Sequence, residues 1–157
     1  GCMMKKWTKK QILRAVLWAV IALTLAFIWS RSARGKVASD GESQWVTELL
    51  REIFHTDGIS HAFVRKLAHF TEFAALGAEL SLLLWLERRA SVQWYVNIWF
   101  AGELCALCDE TVQIFSGRGP MVRDVWLDTA GATCGILLVL GARALTVNIR
   151  NRKKTAE

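Results

Sequence analysis

The segment Arg65-Lys66-Leu67-Ala68-His69-Phe70-Thr71-Glu72-Phe73 places an imidazole, a carboxylate and two cations at the mouth of an apolar run that continues to Leu86. Imidazole and carboxylate can pass protons or bind metal, and guanidinium and ammonium groups grip phosphate and carboxylate. The same mixture recurs in two later apolar runs, as Asp109, Glu110 and Gln113 and as Arg123, Asp124 and Asp128. On helices of about 100° per residue, Arg65, His69, Glu72 and Glu79 fall within one quarter of a circumference. Glu103, Glu110 and Gln113 share a face of the next run, with Asp109 one turn before Gln113, and Asp124, Asp128, Gly131 and Gly135 share a face of the last. Taken together, the acids Glu72, Glu79, Glu103, Asp109, Glu110, Asp124 and Asp128 face Arg65, Lys66, His69, Arg118 and Arg123. Such an excess of acid predicts carboxyls that hold protons or gather a cation.

Two chemistries suit these residues. In an acid–base site, Glu72 or Glu110 is the general base, His69 its partner, and Arg65, Arg118 and Arg123 hold a phosphate or carboxylate. In a metal site, His69, Glu72, Glu110 and Asp124 are the ligands, a mixed nitrogen and oxygen set that suits zinc or manganese as the cofactor. No serine elbow or thiolate stands among them. Cys105 and Cys108 form a CxxC inside an apolar run with no second pair to complete a zinc site, and read as small helix residues. Single residues also have structural readings: Arg65, Lys66 and Arg123 as anchors reaching lipid phosphate, His69 as a hydrogen-bonding helix contact, and Gly131-xxx-Gly135 as a helix-packing notch.

The elements that must position these groups are read as membrane helices. Of the 157 residues 53% are hydrophobic, with eight Trp and one Pro, and the mean hydropathy is +0.26. Four apolar runs, Ile12–Trp29, Phe63–Leu86, Val92–Phe115 and Val125–Val147, are each close to the roughly 20 residues that cross a bilayer as a helix. A water-soluble bundle would need continuous polar faces that they lack. The expectation is an all-α single domain over 1–157, an integral-membrane four-helix bundle. The first run is read as a retained helix rather than a cleaved signal, since no small-x-small site closes it.

The net charge of +6 does not point to nucleic acid, because the cations are not gathered among aromatics. They stand before the first run, in the turn at Arg88-Arg89, and after the fourth run, which by the positive-inside rule puts both termini in the cytoplasm. The polar starts and ends of the other runs then converge on the extracytoplasmic side. Glu72, Glu110 and Asp128 lie about 7–10 Å inside, and Glu79 and Glu103 roughly 20 Å inside. Between the first two runs, SRSARGKVASDGES reads as a flexible loop. Residues 42–54, with Trp45, Val46, Leu49, Leu50, Ile53 and Phe54 at helical spacing, read as an amphipathic helix on the outer surface or capping the bundle.

RKLAHFTEF together with DETVQIFSGRGPMVRDVWLDTAGATCG, Asp109–Gly135, resembles the VanZ-like family of small bacterial membrane proteins over about Phe63–Val147. Where that family often carries Asn, this chain has Asp128. The resemblance implies that Arg65, His69, Glu72, Asp109, Glu110, Gln113 and Asp124 are the working groups and that Lys66 and Arg118 bind alongside them, joined on geometry by Arg123 and Asp128. It also implies a link to resistance against lipoglycopeptides of the teicoplanin type. Three functions are then open: an outer-leaflet site acting on a membrane lipid or lipid-linked cell-wall precursor, a non-catalytic protein that sequesters the antibiotic, and a proton or ion pathway through Glu79 and Glu103.

Overall fold

The computed structural model of the protein describes residues 7–34, 36–55, 58, 60–89, 91–116 and 121–155. These residues form five helices: α1 (Lys9–Ser32), α2 (Lys36–Phe54), α3 (His61–Leu86), α4 (Val92–Phe115) and α5 (Val122–Thr155), with no strand among them. Thr8 starts α1 through a capping box. Its hydroxyl accepts from the Gln11 amide at 3.3 Å while its own amide donates to the Gln11 side chain at 2.8 Å, satisfying two N–H groups the helix cannot. Ser60 caps α3 through the Phe63 amide. Asp124 lies in the first turn of α5, where a carboxylate meets the positive end of the helix dipole.

Contacts at the two ends of the bundle define the packing. Lys10 donates to Glu87 at 2.9 Å, joining the start of α1 to the end of α3. The Ser116 hydroxyl donates to the Ser32 carbonyl at 3.0 Å, joining the ends of α4 and α1. Arg143 of α5 donates to the Tyr95 hydroxyl near the start of α4 at 3.4 Å. Helices α1 and α4 therefore run one way and α3 and α5 the other. The Lys10 bond, helped by its charge and that of Arg14, holds the Glu87 carboxyl below the usual glutamate range.

The most extensive contact is between α3 and α5, and small residues make it possible. A Cβ at Gly77 would overlap the Ala132 carbonyl, one at Gly131 the Phe70 carbonyl, and one at Gly135 the Ala74 carbonyl. The Gly131-xxx-Gly135 notch is thus a backbone-to-backbone contact of the kind that drives helix pairing in lipid. Around it pack Ile21, Ile28, Phe73, Leu76, Ala106 and Ala132, all buried. The outward faces are also apolar: Phe100, Leu104, Trp126, Leu137 and Leu138 are each at least 60% exposed. A bundle apolar outside as well as inside is suited to lipid. By length and composition α1, α3 and Val122–Lys153 of α5 can each cross a membrane. The equally long α4 carries Gln93, Asn97, Glu103, Asp109 and Glu110, which lower its hydropathy.

Three boundaries differ from the sequence expectation. The loop predicted through Ser43 is helical from Lys36, so α2 is longer than 42–54. Ser39, Asp40 and Gly41 disfavour helix by only about 0.5–1 kcal/mol each, and a nucleated helix extends through such residues. Helices α1 and α5 run past their apolar runs into charged sequence, because Lys and Arg are good helix formers wherever the hydropathy stops. The apolar stripe of α2 divides: Val46 and Leu50 are partly buried beside the buried Thr47, while Trp45, Leu49 and Ile53 are exposed.

Candidate functional site

The end of α1, the start of α3, the end of α4 and the start of α5 meet at one end of the bundle, and the predicted polar residues lie there. Outermost, Lys66 pairs with Asp124 at 3.3 Å across α3 and α5. One turn deeper, His69 Nδ1 faces Asp109 Oδ2 of α4 at 3.8 Å and Asp128 Oδ1 of α5 at 3.9 Å. Asp109 is 0% and Asp128 1% exposed. Gln113, one turn beyond Asp109 on α4, donates to Asp109 Oδ2 at 2.8 Å. Glu110 is buried too, and its Oε2 accepts from the Met121 amide at 3.2 Å, tying α4 to the entry of α5.

The acids of α3 reach across to α1. Glu72 forms an ion pair with Arg31 at the end of α1, and Glu79 accepts from the Thr24 hydroxyl of α1 at 2.8 Å. The reason is angular. Glu72 and Glu79 are about 20° apart around α3, whereas His69 is about 60° from Glu72, enough to cross the seam between α1 and the α4–α5 side. Glu103 is likewise engaged, accepting from Thr129 of α5. Of the predicted ligand set His69, Glu72, Glu110 and Asp124, only His69 stands in the group whose donor atoms lie within 4.8 Å of one another: His69, Asp109 and Asp128. Arg65, half-buried, lies one turn before His69, and Arg123 is exposed at the start of α5. Arg118 lies outside the described residues.

Sequence reading misses Arg31, Thr24 and Thr129. Arg31 follows the first apolar run by two residues and reads as loop. The available signal is the acid excess itself, which asks for a cation from an element not yet counted. Thr24 and Thr129 carry hydroxyls that also suit apolar helices, and Thr129 bonds back to the Val125 carbonyl at 2.8 Å. Nothing in their type marks them as partners of carboxylates.

The polar end can therefore hold charge in the apolar bundle through paired and hydrogen-bonded groups, with one histidine set between two buried aspartates. No curated protein matches the chain, and no solved structure does. The sequence profile of the VanZ/LLP1 family matches residues 12–145, which include α1 from its first turn, the whole polar end and most of α5. The chain belongs to the VanZ/LLP1 family.

Proposed function

We propose that this VanZ-like protein works in the bacterial cell envelope, where family membership links it to glycopeptide resistance of the teicoplanin type. Its polar end acts on a membrane lipid or a lipid-linked cell-wall intermediate. The observation that carries this reading is the gathering of His69, Asp109, Asp128, Glu110 and the Lys66–Asp124 pair at one end of an otherwise apolar bundle. Lys66 and Arg65, both half-buried, suit the phosphate of such an intermediate, and His69 with a neighbouring carboxylate suits proton transfer. The opposite end carries Lys9, Lys10, Arg88, Arg89, Arg150, Arg152 and Lys153. The positive-inside rule assigns that end to the cytoplasm and the polar end to the outer leaflet, with α4 as a fourth span whose acids face the bundle. The exposed row of Trp45, Leu49 and Ile53 on α2 suits a helix lying in the outer interface.

The test is resistance to a teicoplanin-type antibiotic in cells expressing the protein. His69→Gln and Lys66→Gln should abolish it while the protein still accumulates in the membrane. A cysteine at Gln44, exposed on α2 well away from that apolar row, should react with an impermeant thiol reagent on intact cells and one at Ser91 should not. Full resistance in both variants, or the reverse labelling, would overturn the reading.

A further inference from the structure

We propose that His69, Asp109 and Asp128 form a binding site for a divalent transition-metal ion, manganese or zinc, held between α3, α4 and α5. Each helix contributes one donor, and the three donor atoms lie within 4.8 Å of one another. Two ligands at about 2.1 Å from a tetrahedral ion are about 3.4 Å apart. The observed separations of 3.8 and 3.9 Å around His69 Nδ1 close to that with side-chain shifts of a few tenths of an ångström. Asp128 is the independent sign that something is held there. It is 1% exposed, yet neither of its oxygens has a hydrogen-bond donor among the described residues, and Asp109 Oδ1 has none either. A buried carboxylate left so is costly, and a cation between the two acids relieves it. Two carboxylates and a neutral imidazole balance a 2+ ion without leaving net charge in the bundle.

The surroundings hold these donors in place. Gln113, itself 6% exposed, donates to the same Asp109 oxygen that faces His69 and so fixes the carboxylate's orientation, as hydrogen bonds to metal ligands do. Phe70, next to His69, has its carbonyl against Gly131, three residues after Asp128, so the α3 and α5 donors lie beside one of the close backbone approaches between these helices. One nitrogen with two carboxylates fits manganese or zinc; calcium takes six to eight oxygens. The competing occupant is a proton, with an imidazolium bridging the acids.

The inference rests on the polar end being the working site, but its test needs no substrate. Chelator-stripped protein in lipid nanodiscs is titrated with Mn2+ by calorimetry. Near-stoichiometric binding is expected, together with a higher melting temperature, because the ion binds only the folded state. Asp128→Asn and His69→Gln should weaken binding at least tenfold, while Glu48→Gln on the exposed face of α2 should not. The Mn2+-loaded wild type should show hyperfine coupling to one imidazole nitrogen by pulsed electron paramagnetic resonance, a readout that stands even where a variant fails to fold. No saturable Mn2+ binding, no nitrogen coupling, or equal affinity in a folded Asp128→Asn would overturn the site. Metal binding with resistance intact in His69→Gln would uphold the ion and sink the function proposed above. Lost resistance in a protein that binds no metal would do the opposite.

Discussion

Replacing Gly135 by alanine tests how α3 and α5 hold each other. The new Cβ would overlap the Ala74 carbonyl and stand 2.8 Å from the Ala78 amide nitrogen, both backbone atoms that cannot rotate away. The helices must move apart by about 1 Å, and a gap of that size forfeits up to about half of the dispersion attraction between facing atoms. Overpacking of this kind costs about 1–3 kcal/mol, and alanine's better helix propensity returns up to about 1 kcal/mol. A net loss of about 1–2 kcal/mol corresponds to a fall of roughly 2–8 °C in melting temperature for a chain of this size. Gly141 is the internal control: it lies on the same helix, and a methyl added there meets nothing within 4 Å, so Gly141→Ala should raise stability by a few tenths to about 1 kcal/mol. Intrinsic tryptophan fluorescence during heating in detergent reads both. If Gly135→Ala melts at or above the wild type, or if the two variants shift together, the close approach of α3 and α5 is not what holds them.

Arg31→Met should destabilise by about 2–4 kcal/mol, since it removes the guanidinium from a mostly buried Glu72, and Arg31→Met combined with Glu72→Met should recover much of that loss. Strictly additive single losses in this double-mutant cycle would show that the two groups are not coupled. At the other end, the lowered pKa of Glu87 means that the Lys10–Glu87 pair stabilises fully above the ordinary glutamate value of 4.5 and loses that contribution as pH falls through the folded value. Glu87→Gln should therefore melt below the wild type near neutral pH, with the difference closing as falling pH protonates Glu87; a difference that does not shrink at all on acidification below 4.5 would assign the effect to something other than the ion pair.

Much of this arrangement is written in the order of residues. The apolar run Val92–Phe115 and helix α4 share both ends, because Ser91 and Ser116 bound a run with no competing signal. The meeting of the polar residues at one end follows from their placement at alternate ends of successive runs. The pairing of individual groups is not legible in the same way. His69 and Glu72 differ by only about 60° around α3, and whether that angle crosses a seam depends on where α1 packs, which no periodicity states. Arg31 and the start of α2 escape the sequence for a related reason: hydropathy marks where lipid ends, and a backbone helix does not stop there.

Helix α5 has 34 residues, about 51 Å at 1.5 Å per residue. A hydrocarbon layer of about 30 Å covers some 20 of them, so the Arg150–Lys153 end stands clear of it like the stem of a float. Anionic headgroups attract each such cation by about 1 kcal/mol, which sets how deep the rod sits. Asp128 is six residues from the start of the same rigid rod. On the function proposed above, the depth at which a headgroup would meet the polar end is governed from the other end of this rod, and it should shift with the lipid charge and salt that the basic tail feels, with no change at the polar end itself.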